Sequence, residues 1–273
     1  MSRLFLRRRL LAASALSLLP WLPGCAGDDK DEGDRPSSGQ PPSDEDRDRL
    51  ARSYGDEHLT SQQLDPRMVR LVARGVDTPH LLMRGNAPID GDRFEYDALI
   101  DALRQAAGDA WPARFRIVDV SLMNEIAEAT AVDAERRYWA AHPGRGRFIH
   151  HPLFGALSDP ADYPAFLRLM IERWSGLDRM GDLLRQLQAL LQTPTGDGIA
   201  NVVFVHCRAG RDRTGQAIAS YGMRYLGRSY REAIADAEQV AGRALVRFSR
   251  YGIAWYAHQL ADRDQVPTIG PIP

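Results

Sequence analysis

The stretch that most constrains this chain is a buried-strand pattern that runs directly into a loop and then into a helical pattern. Residues 202–205 read Val-Val-Phe-Val, a β-branched and aromatic run typical of a buried strand. The loop that follows reads His206-Cys207-Arg208-Ala209-Gly210-Arg211-Asp212-Arg213-Thr214-Gly215. In α/β proteins, anions bind where a strand ends and a helix begins. The sequence therefore predicts an α/β domain with an anion site in this loop.

The residue types of the loop are those of an oxyanion site that contains a thiol. Backbone N–H groups of residues 208–213 can wrap a phosphate, and the same field stabilises a thiolate at Cys207. Arg213 has the planar fork that contacts two phosphoryl oxygens, and Gly210 permits a tight backbone path. Thr214 is predicted to hydrogen-bond the thiolate. The predicted phosphate-binding residues are Arg208, Ala209, Gly210, Arg211, Asp212 and Arg213.

The loop resembles the signature of the protein tyrosine phosphatase superfamily, His-Cys-x-x-Gly-x-x-Arg-Thr-Gly, at every fixed position. Residues 209–215 are similar to the Ala-Gly-Lys-Asp-Arg-Thr-Gly loop of bacterial secreted phosphatases that act on phosphotyrosine and phosphoinositides, with Arg211 in place of the lysine. A weaker resemblance covers much of residues 80–245, where Leu82-Met83-Arg84-Gly85 stands in place of a Phe-Arg-Ser type motif.

This resemblance implies a fold, a reaction and the catalytic roles of two residues. The fold is α/β, with a central, mostly parallel sheet flanked by helices and the catalytic loop between a strand and a helix. The reaction is hydrolysis of phosphate monoesters by a phosphotyrosine or dual-specificity protein phosphatase. It proceeds through a cysteinyl-phosphate intermediate on Cys207, with Arg213 holding the phosphate. No cofactor is expected.

Three other functions stay open at this point. A phosphoinositide or inositol-polyphosphate phosphatase would use the same loop, and the sequence does not identify the pocket rim that separates it from a protein phosphatase. An inactive phosphate-binding module is disfavoured because both Cys207 and Arg213 are present. A sulfurtransferase also uses a cysteine loop, but His206 and the Arg213-Thr214-Gly215 run favour phosphate.

The leaving group needs a proton, so a carboxylate near the loop is expected. Asp212 is the favoured general acid, because the resemblance to the Ala-Gly-Lys-Asp-Arg loop and to the myotubularin loop implies an acid inside the loop. Asp159 and Asp162 are the alternatives, as members of a mobile acid loop of the kind found in phosphotyrosine and dual-specificity phosphatases. For all three, the alternative interpretation is a helix cap.

The histidines are interpreted as structural. His206 is expected to orient the loop through hydrogen bonds, with its side chain on the strand face opposite to the phosphate. The His150-His151 pair has no carboxylate or cysteine at ligand spacing, so we expect no metal site there.

The first residues have the pattern of a bacterial export signal. In residues 1–24, four arginines precede an apolar run from Leu10 to Leu19, which is too short to span a membrane comfortably. The run leads to Leu22-Pro23-Gly24-Cys25, which resembles the lipobox of bacterial lipoproteins and implies a lipid at Cys25. We expect a cell-envelope lipoprotein on the periplasmic side of a membrane, or a secreted protein if Cys25 is not lipidated.

The remaining chain divides into a tether, a domain and a tail. Residues 25–60 combine Gly, Pro, Ser and charge without apolar periodicity, so they are expected to be a flexible linker. Residues 61–265 form the expected phosphatase domain, and residues 266–273 are an expected disordered tail. The net charge of -1 argues against a nucleic-acid partner, so the expected partners are a phosphorylated protein or an inositol-phosphate or phospholipid substrate, and the membrane.

Periodicity places the principal elements of the domain. Strands are predicted at Leu81–Met83, Arg116–Val120, Arg147–His151 and Asn201–His206. Helices are predicted over residues 163–174, 180–191, 216–226 and 243–260, and Ser229 with Glu232 predicts a capping box that starts one more helix.

Overall fold

The computed structural model describes residues 63–174 and 179–272. The predicted signal segment, Cys25 and the predicted linker lie outside these residues. The strands are β1 Arg70–Arg74, β2 Leu81–Asn86, β3 Ile89–Asp90, β4 Arg93–Phe94, β5 Phe115–Ser121, β6 Gly146–His150 and β7 Ala200–Cys207. The α-helices are α1 Tyr96–Ala107, α2 Ala129–Ala141, α3 Ala165–Trp174, α4 Met180–Gln192, α5 Asp212–Tyr225, α6 Tyr230–Ala241 and α7 Arg247–His258.

The central sheet has the strand order β1-β2-β7-β5-β6, and only β1 runs antiparallel to its neighbour. Strands β3 and β4 form a separate antiparallel pair. In the register of the sheet, the ends of β2 and β5 lie beside His206 and Cys207 at the end of β7. The loops after three parallel strands therefore meet at one edge, which is where α/β sheets place ligands. The predicted α/β fold class is confirmed.

Each face of the sheet is covered by a separate hydrophobic cluster. On one face, helices α4, α5, α6 and α7 pack against Val203, Val205 and Cys207 of β7. Helices α1 and α2 pack on the other face, against Val202 and Phe204. Because successive side chains of a strand alternate between faces, a strand buried on both sides is apolar at nearly every position. This explains the continuous apolar run at residues 202–205 of β7, between Asn201 and His206.

The four predicted strands and the predicted capping box are present. The Ser229 side chain accepts a hydrogen bond from the Glu232 amide, and the Glu232 carboxylate accepts one from the Ser229 amide, so α6 begins at Tyr230. The last predicted helix starts later than expected, at Arg247, because the backbone N–H of Val246 is turned to Asp212.

The C-terminal tail is more ordered than the sequence predicts. Residues 267–269 of the predicted disordered tail form a 3-10 turn, and Ile269 is buried against the cluster of α5, α6 and α7, so burial of this side chain orders the tail. Among the described residues, no helix is both long and apolar enough to cross a membrane.

Candidate active site

The loop joins the last residue of β7, Cys207, to the first residue of α5, Asp212. Cys207 forms no disulfide with another described residue, and it is only 2% exposed. Gly210 has a φ of +69°, and a Cβ at this position would lie 2.6 Å from the Gly85 carbonyl oxygen. Glycine is therefore required here both by backbone conformation and by the close approach to the end of β2.

The carbonyl groups of the loop are turned toward β2. The backbone N–H of Ala87 donates to the Arg208 carbonyl at 3.1 Å, and Nη2 of Arg84 donates to the Gly210 carbonyl at 2.5 Å. In a trans peptide, the C=O of one residue and the N–H of the next point in opposite directions, and the peptides here are trans. The N–H groups of Ala209 and Arg211 consequently point away from β2, which is the arrangement that an anion-binding loop requires.

Arg213 is held in a buried ion pair that the sequence did not predict. Its Nη1 and Nη2 donate to the two carboxylate oxygens of Glu128 at 2.5 and 2.7 Å, and both side chains are 2% exposed. Glu128 follows β5, and its carboxylate also accepts from the Asn124 N–H at 2.9 Å. A two-point contact fixes the plane of the guanidinium as well as its position. Glu128 is thus a site residue that no local pattern indicates.

Asp212 occupies a structural position. Its Oδ1 accepts from Arg243 Nη1 at 3.0 Å and from the Val246 N–H at 2.8 Å, and its Oδ2 accepts from Arg243 Nη2 at 2.8 Å. The side chain is 4% exposed. Both oxygens are therefore engaged with donors, one of them a cation, and the carboxylate ties the start of α5 to the segment before α7.

Asp159 and Asp162 lie in the segment between β6 and α3. Asp159 caps a 3-10 turn at residues 160–162, accepting from the Ala161 N–H at 3.0 Å, and Asp162 is exposed within that turn. The carbonyl of Ser158, next to Asp159, accepts from Trp255 Nε1 of α7. Within the described residues, no hydrogen bond or ion pair joins either carboxylate to residues 207–213. The two acids are therefore not assembled with the loop in this arrangement.

His206 belongs to a completely buried polar cluster on the sheet face opposite Cys207. Its Nε2–H donates to Asp119 Oδ1 at 2.9 Å and lies 3.3 Å from Glu135 Oε1, while Trp139 Nε1 donates to Asp119 Oδ2 at 2.7 Å. Burial alone would lower the pKa of His206, but the negative charges of Glu135 and Asp119 raise it to about 9. Burial also raises the pKa of Glu135 to about 8.

A ligand atom from each of Asp119, Glu135 and His206 lies within 4.8 Å of the others, close enough to hold a metal ion. Two of these atoms, His206 Nε2 and Asp119 Oδ1, are the hydrogen-bonded pair described above. The predicted orienting role of His206 is consistent with the cluster, since Asp119 fixes its ring from β5.

Three more loop residues were predicted to take part in the site: Thr214, Arg208 and Arg211. Thr214 is fully buried, and its hydroxyl makes no hydrogen bond to another described residue, so the predicted hydrogen bond to Cys207 is not made here. Arg208 and Arg211 are half-buried at the loop. The Arg211 charge is close enough to Asp65 to help lower the pKa of that carboxyl, although the hydrogen bond from Arg67 has the larger effect.

His150 and His151 lie where β6 ends. His150 Nε2 is 2.8 Å from the Met123 carbonyl, and its Nδ1 is 3.5 Å from the Glu125 carboxylate. The His151 backbone N–H donates to the Ser121 carbonyl. The pair continues the pairing of β6 with β5, which accounts for its position at the strand end.

No family model matches the sequence, and no curated protein matches it. Solved structures do match. The core catalytic domain of the PP-IP phosphatase Siw14 from S. cerevisiae is 13% identical, with a TM-score of 0.40, over 76% of this chain and 99% of that chain. A mouse putative dual specificity phosphatase is 18% identical, with a TM-score of 0.40, over 77% of this chain and 99% of that chain.

P. aeruginosa TpbA, solved with phosphotyrosine, is 19% identical, with a TM-score of 0.35, over 71% of this chain and 94% of that chain. Two of these three proteins are named phosphatases, and the third was solved with phosphotyrosine.

Proposed function

We propose that this protein is a cysteine-dependent phosphatase that hydrolyses phosphate monoesters. One observation carries the proposal: Cys207 and Arg213 stand at the two ends of a loop whose carbonyls at 208 and 210 are bonded outward, toward β2. The N–H groups that follow these carbonyls, the N-terminus of α5 and the Arg213 guanidinium supply the donors that a phosphoryl group needs. The buried pair with Glu128 holds that guanidinium in a fixed orientation before substrate arrives.

The reaction follows from these positions in two displacements. The Cys207 thiolate attacks phosphorus, an S–P bond forms, and the P–O bond to the leaving group breaks as that oxygen takes a proton from an acid. Water then attacks the cysteinyl phosphate and gives up a proton to a base. The S–P bond breaks, inorganic phosphate leaves, and the thiolate is restored. Charge on the equatorial oxygens is stabilised throughout by the loop N–H groups and Arg213.

For the general acid, the contacts favour a structural role for Asp212. Both oxygens of Asp212 accept hydrogen bonds from Arg243 or Val246, and these bonds hold the carboxylate against the segment before α7. Asp159 or Asp162 would have to move toward the loop. A leaving-group series decides among the three. Replacement of the true acid by asparagine slows alkyl and phenyl phosphates strongly, but it spares substrates whose leaving group is a stable anion.

The proposed substrates are phosphotyrosine or other phosphorylated side chains of proteins. A phosphopeptide, a phosphoinositide and an inositol polyphosphate, each assayed with the same preparation, test this choice. Highest kcat/KM on the phosphopeptide supports a protein phosphatase, whereas a preference for either inositol phosphate moves the assignment to that class.

The main test uses Cys207→Ser and Arg213→Lys. Cys207→Ser should abolish turnover while phosphate still binds, because the hydroxyl is hardly ionised in the same field. Arg213→Lys should lose several orders of magnitude, because lysine cannot make the two-point contact. Hydrolysis by the serine variant above the background of a mock preparation contradicts the mechanism. A wild-type protein that binds phosphate but hydrolyses none of the substrates would be a binding module.

We further propose that the protein is an exported lipoprotein anchored through Cys25, on the basis of the sequence motif. Several acyl chains would hold it on a membrane far more firmly than one chain would. Fractionation should find the wild type in membranes and a Cys25→Ala variant in the soluble fraction. A wild type that is wholly soluble contradicts the anchor.

A further inference from the structure

Arg84, at the end of β2, is a buried cation beside the loop without a carboxylate partner. The residue is 3% exposed, and within the described residues it makes no ion pair. Its one hydrogen bond joins Nη2 to the Gly210 carbonyl, and its Nε has no partner. A buried charge that lacks a counter-charge is costly, so the position of Arg84 requires an explanation.

The other buried cations next to the loop are each neutralised by acids. Arg213 pairs with Glu128, and on the opposite face of the sheet His206 pairs with Asp119. Asp212 is likewise neutralised, by Arg243. These pairs leave Arg84 as a buried positive charge whose counter-charge has to come from a group that is not a carboxylate.

Cys207 is the group in a position to supply that charge. Arg84 is paired with Val205 in the parallel register of β2 and β7, and Asn86, two residues on, is paired with Cys207. Paired residues of neighbouring strands share a face and alternate positions repeat it, so the Arg84 side chain leaves the sheet on the same face as Cys207. Desolvation lowers the pKa of Arg84 to about 10, and the negative charge of the Cys207 thiolate opposes that effect.

The hydrogen bond of Arg84 has a second consequence, for the loop backbone. The bond holds the Gly210 carbonyl on the β2 side, so the N–H of Arg211 points to the opposite side. The Ala87 N–H holds the Arg208 carbonyl in the same way, which turns the N–H of Ala209 away from β2. Within the described part of the chain, the N–H groups of Ala209, Gly210 and Arg211 donate to no protein acceptor. These groups are therefore available to an anion.

We propose that Arg84 is a positioning residue of the phosphatase loop: its hydrogen bond to Gly210 orients the loop amides, and its unpaired charge favours the thiolate form of Cys207. This inference rests on the proposed function for its catalytic consequence. The effect on the thiol and on anion binding does not depend on turnover and can be measured separately.

The experiment uses the full chain with Cys25→Ala, so that Cys207 is the only cysteine. The rate of alkylation by iodoacetamide as a function of pH gives the pKa of the thiol. Arg84→Met should raise that pKa by about one unit, because a nearby opposite charge shifts a titrating group by this order. It should also lower kcat/KM on a phosphopeptide by about 10²-fold, as misplaced loop groups do. Affinity for inorganic phosphate should fall as well.

Arg84→Lys separates the two effects, because lysine keeps the charge and loses the planar fork. We expect its thiol pKa to lie within about half a unit of the parent, while phosphate affinity and kcat/KM remain reduced. Arg70→Met is the matched control, since Arg70 is the exposed partner of Arg84 in the β1–β2 register and should leave all three measurements unchanged.

A folded Arg84→Met protein with parental thiol pKa and parental phosphate affinity overturns the inference. If Arg84→Met does not fold, Arg84→Lys decides, and a parental phosphate affinity in that variant overturns the orienting role. If the parent protein hydrolyses none of the substrates, the proposed function fails, but the shift in thiol pKa between the parent and the Arg84 variants still tests this inference.

Discussion

The pair between Arg213 and Glu128 is the contact whose removal is most informative. Replacing Glu128 by glutamine keeps the shape of the side chain and removes its charge, so the Arg213 guanidinium remains buried without a counter-charge. Breaking a buried ion pair from one side costs about 3–5 kcal/mol of unfolding free energy. Glutamine retains one acceptor oxygen for the two donors at 2.5 and 2.7 Å, so we expect a loss near the lower end, about 3 kcal/mol.

Urea unfolding of a double-mutant cycle measures the coupling. Arg213→Met removes the cation, and the combination with Glu128→Gln leaves neither charge buried. We expect the double variant to be more stable than the sum of the single losses predicts, with a coupling of about 2 kcal/mol or more, since each single change strands the other charge. Losses that add to within about 0.5 kcal/mol would refute the reasoning.

A neighbouring acid provides the control. Glu125 lies on the same loop, is 58% exposed, and pairs with Arg136 at 2.6 Å. Exposed pairs contribute about 0–1 kcal/mol, so Glu125→Gln should barely change unfolding or turnover. Glu128→Gln, in contrast, should lower kcat/KM on a phosphopeptide by about 10²-fold, because the guanidinium loses its fixed orientation. Equal losses in the two variants would mean that Glu128 acts only through the general charge of the loop.

Three further outcomes are expected. Because the pKa of Glu135 is raised to about 8 and that of His206 to about 9, the folded chain keeps protons that the unfolded chain has lost, and stability should fall as pH rises from about 5 to about 9. Glu135→Gln should flatten that slope in urea unfolding at several pH values, and an unchanged slope would contradict the assignment. Gly210→Ala should destabilise the domain by about 1–3 kcal/mol in the same assay and abolish phosphate binding, since a Cβ would meet the Gly85 carbonyl at 2.6 Å. Arg243→Met should lower the free energy of unfolding, because it leaves the buried Asp212 carboxylate without its cation. Asp212→Asn in the same protein should suppress part of that loss, and full additivity of the two changes would contradict their pairing.

The parts of the fold that follow from local pattern were predictable. The hydrophobic run of β7 and the glycine at 210 determine a strand and a tight loop within a few residues, and the Ser229–Glu232 box fixes the start of α6 in the same way. These features depend on periodicity and backbone geometry, which a single sequence displays directly.

The partners of the loop were not predictable, because each is distant in sequence and has no periodic signal. Glu128 lies 85 residues before Arg213, and Arg84 lies 126 residues before Gly210. Asp212 was interpreted from the loop motif alone, and its bonds to Arg243 depend on the path of the chain after α6. For Arg84, the sequence offered only the resemblance of Leu82-Met83-Arg84-Gly85 to a Phe-Arg-Ser type motif, which does not indicate the contact with Gly210.

The central place of β7 in the sheet has a consequence for how the protein opens. The strand is hydrogen-bonded on both sides, by β2 and by β5, and all its residues are buried. Amide hydrogens in such a strand exchange with solvent only through the largest opening events of a domain, whereas edge strands and exposed turns exchange through small local fluctuations. Heating or denaturant should therefore loosen β1 and the segment before α3 first, and Cys207 should keep its place until the sheet itself separates.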